Sequence, residues 1–300
     1  MVEQRRGVIP PQPRRREHTP RGVILRRRLV AVGVLLAGLV GVGFAIASVH
    51  GGGGTKPATT AIAAPKPFRI IFPEGFTRED MANRVADVVR IAEHERGKKP
   101  RLAKRDYLAA TAGRRYLRGF GRHPLEGFLF PATYQFTLRT SGTQLARNQI
   151  AAFLKNWRSI DTSYARSKNL TPYDVLIIAS MVEKEAVAPD ERPKIARVIY
   201  NRLHAHMTLG IDATIRYGLH VPGTESLRES QLKSDNPYNT RTHAGLPPTP
   251  IANPGLASLQ AAAHPIEGDW LYFVRKPDRV HHFFTASERE FINYKNAHGF

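Results

Sequence analysis

Cysteine is absent from the 300 residues, which excludes a disulfide framework and any thiolate metal site. Three other signatures are missing. Without a P-loop or a GxGxxG turn, nucleotide binding drops out, and without a GxSxG elbow so does acyl transfer by a serine of that kind. There is no HExxH pair, and His264, His281 and His282 offer no close ligand pair, so non-metal roles are expected for all three. No internal repeat is visible. Acidic residues are scarce, with 25 Asp and Glu against 45 Lys and Arg and a formal charge of +20. Such an excess suits nucleic acid, anionic lipid or an anionic polymer as a neighbour.

A hydrophobic content of 42% is ordinary for a chain of one or two domains that buries a core. Those residues are unevenly spread. Leu29 to Val49 holds no charged side chain, and as a helix it would cover about 30 Å, the thickness of a bilayer's hydrocarbon layer. Nine arginines between Arg5 and Arg28 precede it, against Glu3 and Glu17. The positive-inside bias predicts a cytoplasmic N-terminus and a large domain outside the membrane. A cleaved signal peptide is the alternative, but this apolar stretch outruns an h-region of roughly 7 to 15 residues. With the main domain outside, nucleic acid is not the expected partner and an acidic cell envelope is.

The composition divides the chain into an Arg-rich arm (1–28), a transmembrane helix (29–49), a flexible tether (50–66) that opens on Gly51 to Gly54, a βα module (67–124) and a larger domain (125–300). In the module, Phe68 to Phe72 reads as a strand. Thr77 then opens a helix with Asp80 at capping-box distance and Met81, Val85 and Val88 at helical spacing. Leu125 to Phe136 reads as a Gly, Pro and aromatic hinge between two subdomains. Helical spacing recurs from Ser141 to Trp157. Thr171, Pro172 and Asp174 start a helix from Tyr173 to about Val187, apolar nearly all round until Glu183 and therefore buried. A further helix covers about Glu191 to His206, and a short one Leu256 to Ala263. The segment between them, 234–255, is dense in turn formers. Trp270 to Arg275 and His281 to Phe284 suggest a hairpin around Lys276, Pro277 and Asp278.

Carboxylates at the end of a buried helix are the first candidates for chemistry, because burial raises a carboxyl pKa and lets the group hold a proton near neutral pH. Glu185 shares a helix face with Ile178, Met181 and Val182, while Glu183 points to the opposite side, with Leu176, Ala179 and Ser180. Spacing alone leaves open that both simply mark where the helix meets solvent. Asp212, in GIDATIRYG, is either a site residue or an N-cap. Asn236, Tyr238, Asn239 and Thr240 put several hydrogen-bonding groups in one loop, which suits a sugar or a set of Asx-turns equally well.

Five stretches, LEGFLFPATYQF (125–136), ASMVEKEA (179–186), VIYNRLHAHMTLGIDATIRYGL (198–219), SDNPYNTRTHAGLPPTPIANPGLASLQAAAHP (234–265) and LYFVRKPDRVHHFFTA (271–286), resemble the YceG-like family of endolytic murein transglycosylases. The resemblance runs in order from about Pro67 to Ser287. It implies an α+β protein with an N-terminal transmembrane helix, a small LysM-like βα module and a mixed α/β catalytic domain. It also implies a bacterial plasma-membrane location, peptidoglycan glycan strands as substrate, no cofactor, no nucleic acid, and cell-wall synthases of the penicillin-binding class as partners. The second glutamate of EKE, Glu185, matches the family's catalytic acid, and Glu183, Asp212, Thr214 and Asn239 are expected to line the cleft. Two departures stand out. Only 73–89 matches a βα module where two are frequent, and Ala186 follows Glu185 where Thr or Ser is common. A catalytically silent glycan-binding scaffold and a muramidase-type hydrolase are the rival expectations.

Overall fold

The structure is a computed structural model that describes residues 66–299. The arm, the expected transmembrane helix and all but Lys66 of the tether lie outside the described residues. Among the described residues no helix is long and apolar enough to cross a membrane.

The described residues, 66–299, belong to one compact unit. It opens with β1 (Phe68–Ile71), α1 (Arg78–Arg96) and α2 (Lys104–Thr111). A hairpin of β2 (Arg114–Leu117) and β3 (Gly121–Pro124) follows, and then β4 (Thr133–Phe136) returns antiparallel to β1, with Phe68 opposite Phe136 and Ile70 opposite Tyr134. Alternation puts Ile70, Tyr134 and Phe136 inside, while Arg69, Ile71, Thr133 and Gln135 face out. Met81, Val85, Val89 and Ala92 line the buried side of α1. Its start is as the sequence indicates, since Asp80 N–H donates to Thr77 Oγ1 at 3.1 Å and Thr77 N–H to Asp80 Oδ2 at 3.0 Å.

The segment read as a hinge is instead core. Leu125, Phe128, Leu129 and Phe136 are each at most 1% exposed, and Phe120, Phe128, Phe153 and Trp157 form a continuous aromatic cluster. Because β4 lies beyond residue 124, the β1–β4 pairing carries the first module across the boundary assigned from composition. Local turn formers marked a break in secondary structure here, but the apolar side chains between them hold the two parts together. Gly127 shows how tightly, since it has φ +88° and a Cβ there would come within 2.7 Å of Pro250 Cγ and 3.1 Å of Leu176 Cδ2.

The larger part is built on α5 (Pro172–Glu185), after α3 (Gly142–Trp157) and the short α4 (Ser163–Ser167). Thr171 and Asp174 close a capping box at its start, and every residue from Val175 to Val182 is buried. It packs against α9 (Leu256–Ala263) and α6 (Arg192–His204), with a 3-10 turn at Pro189–Glu191 between α5 and α6. The short helices α7 (Asp212–Gly218) and α8 (Glu229–Leu232) follow α6. A hairpin of β5 (Tyr272–Arg275) and β6 (His282–Thr285), backed by α10 (Glu288–His298), closes the chain. The last charged turn of α5 therefore emerges from a buried rod that is apolar but for Ser180.

Candidate active site

Where α5 emerges, the first turn of α1, the end of α5, α7 and the β5–β6 hairpin enclose a cleft of about 1190 Å³. Glu185, Asp212, Glu126, Tyr217, Arg275 and His282 all border it. Its walls carry both cationic and anionic groups.

Glu185 is partly exposed to this cleft. Burial of its carboxyl, reinforced by the negative charge of Asp212, pushes the pKa up to about 7, against the opposing effects of Arg275, the Ala213 amide and Lys184. A carboxyl in that range is still largely protonated just below neutral pH and can release the proton to a leaving group. Asp212 is the first residue of α7, but its side chain does not cap the helix. Its Oδ1 accepts from Arg241 Nε at 2.8 Å and Nη2 at 2.6 Å, which fixes the anion beside Glu185.

The other three expected cleft residues stand behind the walls. Glu183 turns away, as its helix face requires: its side chain is 7% exposed, and its Oε2 accepts from the Gly255 amide at 3.0 Å with Arg192 Nη2 3.8 Å from Oε1. The effect is to fasten the end of α5 to the start of α9. Thr214 is fully buried, donating to the Ile211 carbonyl at 2.7 Å and sharing a hydrogen bond with Thr240 at 3.0 Å. Asn239 is fully buried too. It donates to the Leu232 and Ser234 carbonyls at 3.0 and 2.7 Å and accepts from the Arg241 amide at 3.2 Å. These two correct the expectation of direct substrate contact, because buried amide and hydroxyl groups in a turn-rich segment are consumed by backbone that no ladder satisfies. Asn239 still bears on the site through Arg241. Asn236 forms an Asx-turn, accepting from the Tyr238 amide at 2.9 Å. The three histidines have separate partners, His281 with Asp278, His282 with Glu191 and His264 against the Tyr164 ring. Among the described residues no group of three His, Asp or Glu could hold a metal ion.

Sequence reasoning missed Glu126, which lies at the cleft floor and is 6% exposed. Its oxygens accept from the Arg78 amide at 2.9 and 3.2 Å, Asn253 Nδ2 at 2.8 Å and Tyr217 Oη at 3.1 Å. Burial still dominates and pushes its pKa up to about 7, although those hydrogen bonds and Arg78 pull it down. The signal was an acid set inside the apolar run Leu125 to Leu129, where only a fully bonded carboxylate is tolerable.

The site is thus a polar cleft in a mixed α/β unit, at which a central buried helix ends in a carboxyl of raised pKa. The sequence pattern of the YceG-like family matches residues 52–297, and the chain belongs to that family. Among curated proteins it is 39% identical over 160 residues to an endolytic murein transglycosylase of Bacillus subtilis, covering 52% of this chain and 43% of that protein. It is 40% identical over 157 residues to one of Streptococcus pneumoniae, covering 51% of this chain and 28% of that protein. The chain thus spans less than half the length of these curated relatives. A crystal structure of a YceG-like protein from Listeria monocytogenes has a similar fold, with a TM-score of 0.62 at 28% identity and 76% of each chain covered.

Proposed function

We propose that this protein is an endolytic peptidoglycan lytic transglycosylase, a lyase in which Glu185 is the catalytic acid. The observation that carries this reading is the Glu185 carboxyl, with a pKa of about 7 in an open cleft. Support comes from the family and from relatives named endolytic murein transglycosylases.

In this reading Glu185 protonates the oxygen that links N-acetylmuramic acid to N-acetylglucosamine. The muramic acid's own C6 hydroxyl attacks C1 and leaves a 1,6-anhydro end, and no water is consumed. An ordinary glycosidase needs a second carboxylate to act as nucleophile or to activate water. Asp212 is a poor choice for that role because Arg241 already holds its carboxylate. Intramolecular attack removes the need and gains effective concentration. Arg275, Lys184 and Arg216 on the cleft walls suit a polymer with peptide and lactyl carboxylates.

The wider reading places the protein in the bacterial plasma membrane, single-pass through 29–49, with a cytoplasmic N-terminus. The LysM-like module would grip glycan, and partner cell-wall synthases would supply nascent strands whose elongation the cleavage ends. An N-terminal reporter found outside the membrane would overturn this topology.

The test is to incubate the full-length protein in detergent with uncrosslinked glycan strands and weigh the products. Anhydro ends that disappear in Glu185→Gln are expected. Products heavier by one water would make the protein a muramidase-type hydrolase, and no cleavage by the folded wild type would favour a glycan-binding scaffold.

A further inference from the structure

Besides Glu126 and Glu185, a buried titratable pair reaches the same cleft through one of its members, His282. Glu191 ends the 3-10 turn that follows α5. Its Oε1 accepts from the His282 amide at 2.8 Å, and its Oε2 pairs with His282 Nδ1 at 2.7 Å. The two side chains are 5% and 2% exposed. With Glu191 Oε2 as the acceptor Nδ1 is the donor, and a ring that carries its single proton there presents the Nε2 lone pair as an acceptor. Among the described residues nothing hydrogen-bonds Nε2, and His282 borders the cleft.

The hairpin sets the direction of this ring. His282 stands opposite Arg275 and Phe284 opposite Phe273, so these four side chains share one face of the sheet. The Phe273 and His282 rings meet edge to face at 5.4 Å. The other face is covered by α10, with Phe283 on Tyr294 at 4.3 Å and Tyr272 on Phe291 at 5.2 Å. Arg275, the cross-strand neighbour of His282, is the cation whose charge acts on Glu185. Glu191 lies one short connection beyond Glu185, so its grip on His282 also docks the hairpin beside the catalytic acid.

We infer that His282, oriented by Glu191, is a second proton-transfer residue of the cleft and accepts the proton of the attacking sugar hydroxyl. This rests on the transglycosylase reading and deepens it. As the C1–O bond to the leaving sugar breaks, its electron pair stays on the leaving oxygen, which takes the Glu185 proton. The C6 oxygen bonds to C1, and its proton passes to His282 Nε2. The resulting imidazolium is stabilised by Glu191 in the way a carboxylate supports a catalytic histidine. Return of that proton to the Glu185 carboxylate through solvent resets the site.

The test uses the full-length protein in detergent with uncrosslinked glycan strands, comparing wild type with His282→Gln, His282→Ala, Glu191→Gln and Glu185→Gln. His282→Gln is expected to lower kcat by about 100-fold with KM within about twofold, and Glu191→Gln to lower kcat by about tenfold. Added imidazole should restore at least about tenfold of the loss in His282→Ala and nothing in Glu185→Gln. Unchanged kcat in His282→Gln overturns the inference. So does a loss that tracks KM or the melting temperature without imidazole rescue. If His282→Gln does not fold, Glu191→Gln decides: unchanged kcat in it overturns the proposal. Activity retained in Glu185→Gln strikes the underlying reading instead, whatever His282 does.

Discussion

Glu126 and Glu185 border one cleft, and burial lifts both to a pKa of about 7, yet their surroundings differ in kind. Glu126 receives the Arg78 amide, Asn253 and Tyr217, and so joins the start of α1 to the turn-rich segment and to α7. Glu185 faces the open cleft with Asp212 as a negative neighbour. A raised pKa therefore does not identify a catalytic acid by itself. A carboxyl whose lone pairs are all taken is a joint, and one with free valence towards a cavity is available for chemistry.

The largest expected effect separates the two by rate. Glu185→Gln should lower glycan cleavage by about 10³-fold without lowering the melting temperature, whereas Glu126→Gln should stay within about tenfold of wild type. Product release followed by mass spectrometry checks both, and equal losses would erase the distinction. The order reverses for stability. Glu126→Ala leaves one buried and two partly buried donors without their acceptor and should cost on the order of 3 kcal/mol in urea unfolding, while Glu185→Ala should be near neutral.

Dependence on pH sharpens the comparison further. If protonated Glu185 is the active form, kcat/KM falls as pH rises through about 7, and Asp212→Asn, which removes the like charge, shifts that fall to lower pH. For stability, a carboxyl whose folded pKa lies above the unfolded value of 4.5 binds more protons when folded. Stability is then greatest below about 4.5 and declines up to about 7. Denaturation midpoints measured across this window should flatten in Glu126→Gln. The smallest effect concerns the far end of α5. Thr171→Ala removes the cap on Asp174 and should cost about 1 kcal/mol with kcat unchanged, which thermal melts and rates together would show.

Much of the frame was readable from local pattern. The caps at Thr77 and Thr171, the helix over Leu256 to Ala263 and the terminal hairpin stand as the sequence indicates, because each depends on residues a few positions apart. Helical spacing also separated Glu185 from Glu183, and the structure keeps them on opposite sides, with Glu183 held by Gly255 and Arg192. The hinge at 125–136 failed as a reading because Gly127 and Pro131 break local structure without breaking packing. Thr214 and Asn239 failed as cleft residues for a related reason. Polar loop side chains look alike in sequence whether they serve a ligand or the loop's own carbonyls.

The sequence by itself determined the family, the buried helix that ends at Glu185 and the spacing that turns Glu183 away, since helix periodicity is a local property. Only the tertiary structure decided that Asp212 stands beside Glu185 with Arg241 as its counter-ion, that Glu126 joins α1 to α7, and that Glu191 holds His282 against the cleft. Those contacts link residues from 29 to 91 positions apart. Which carboxyl is enclosed and which keeps a free valence depends on what folding brings against it, and burial and neighbouring charge then set its affinity for a proton.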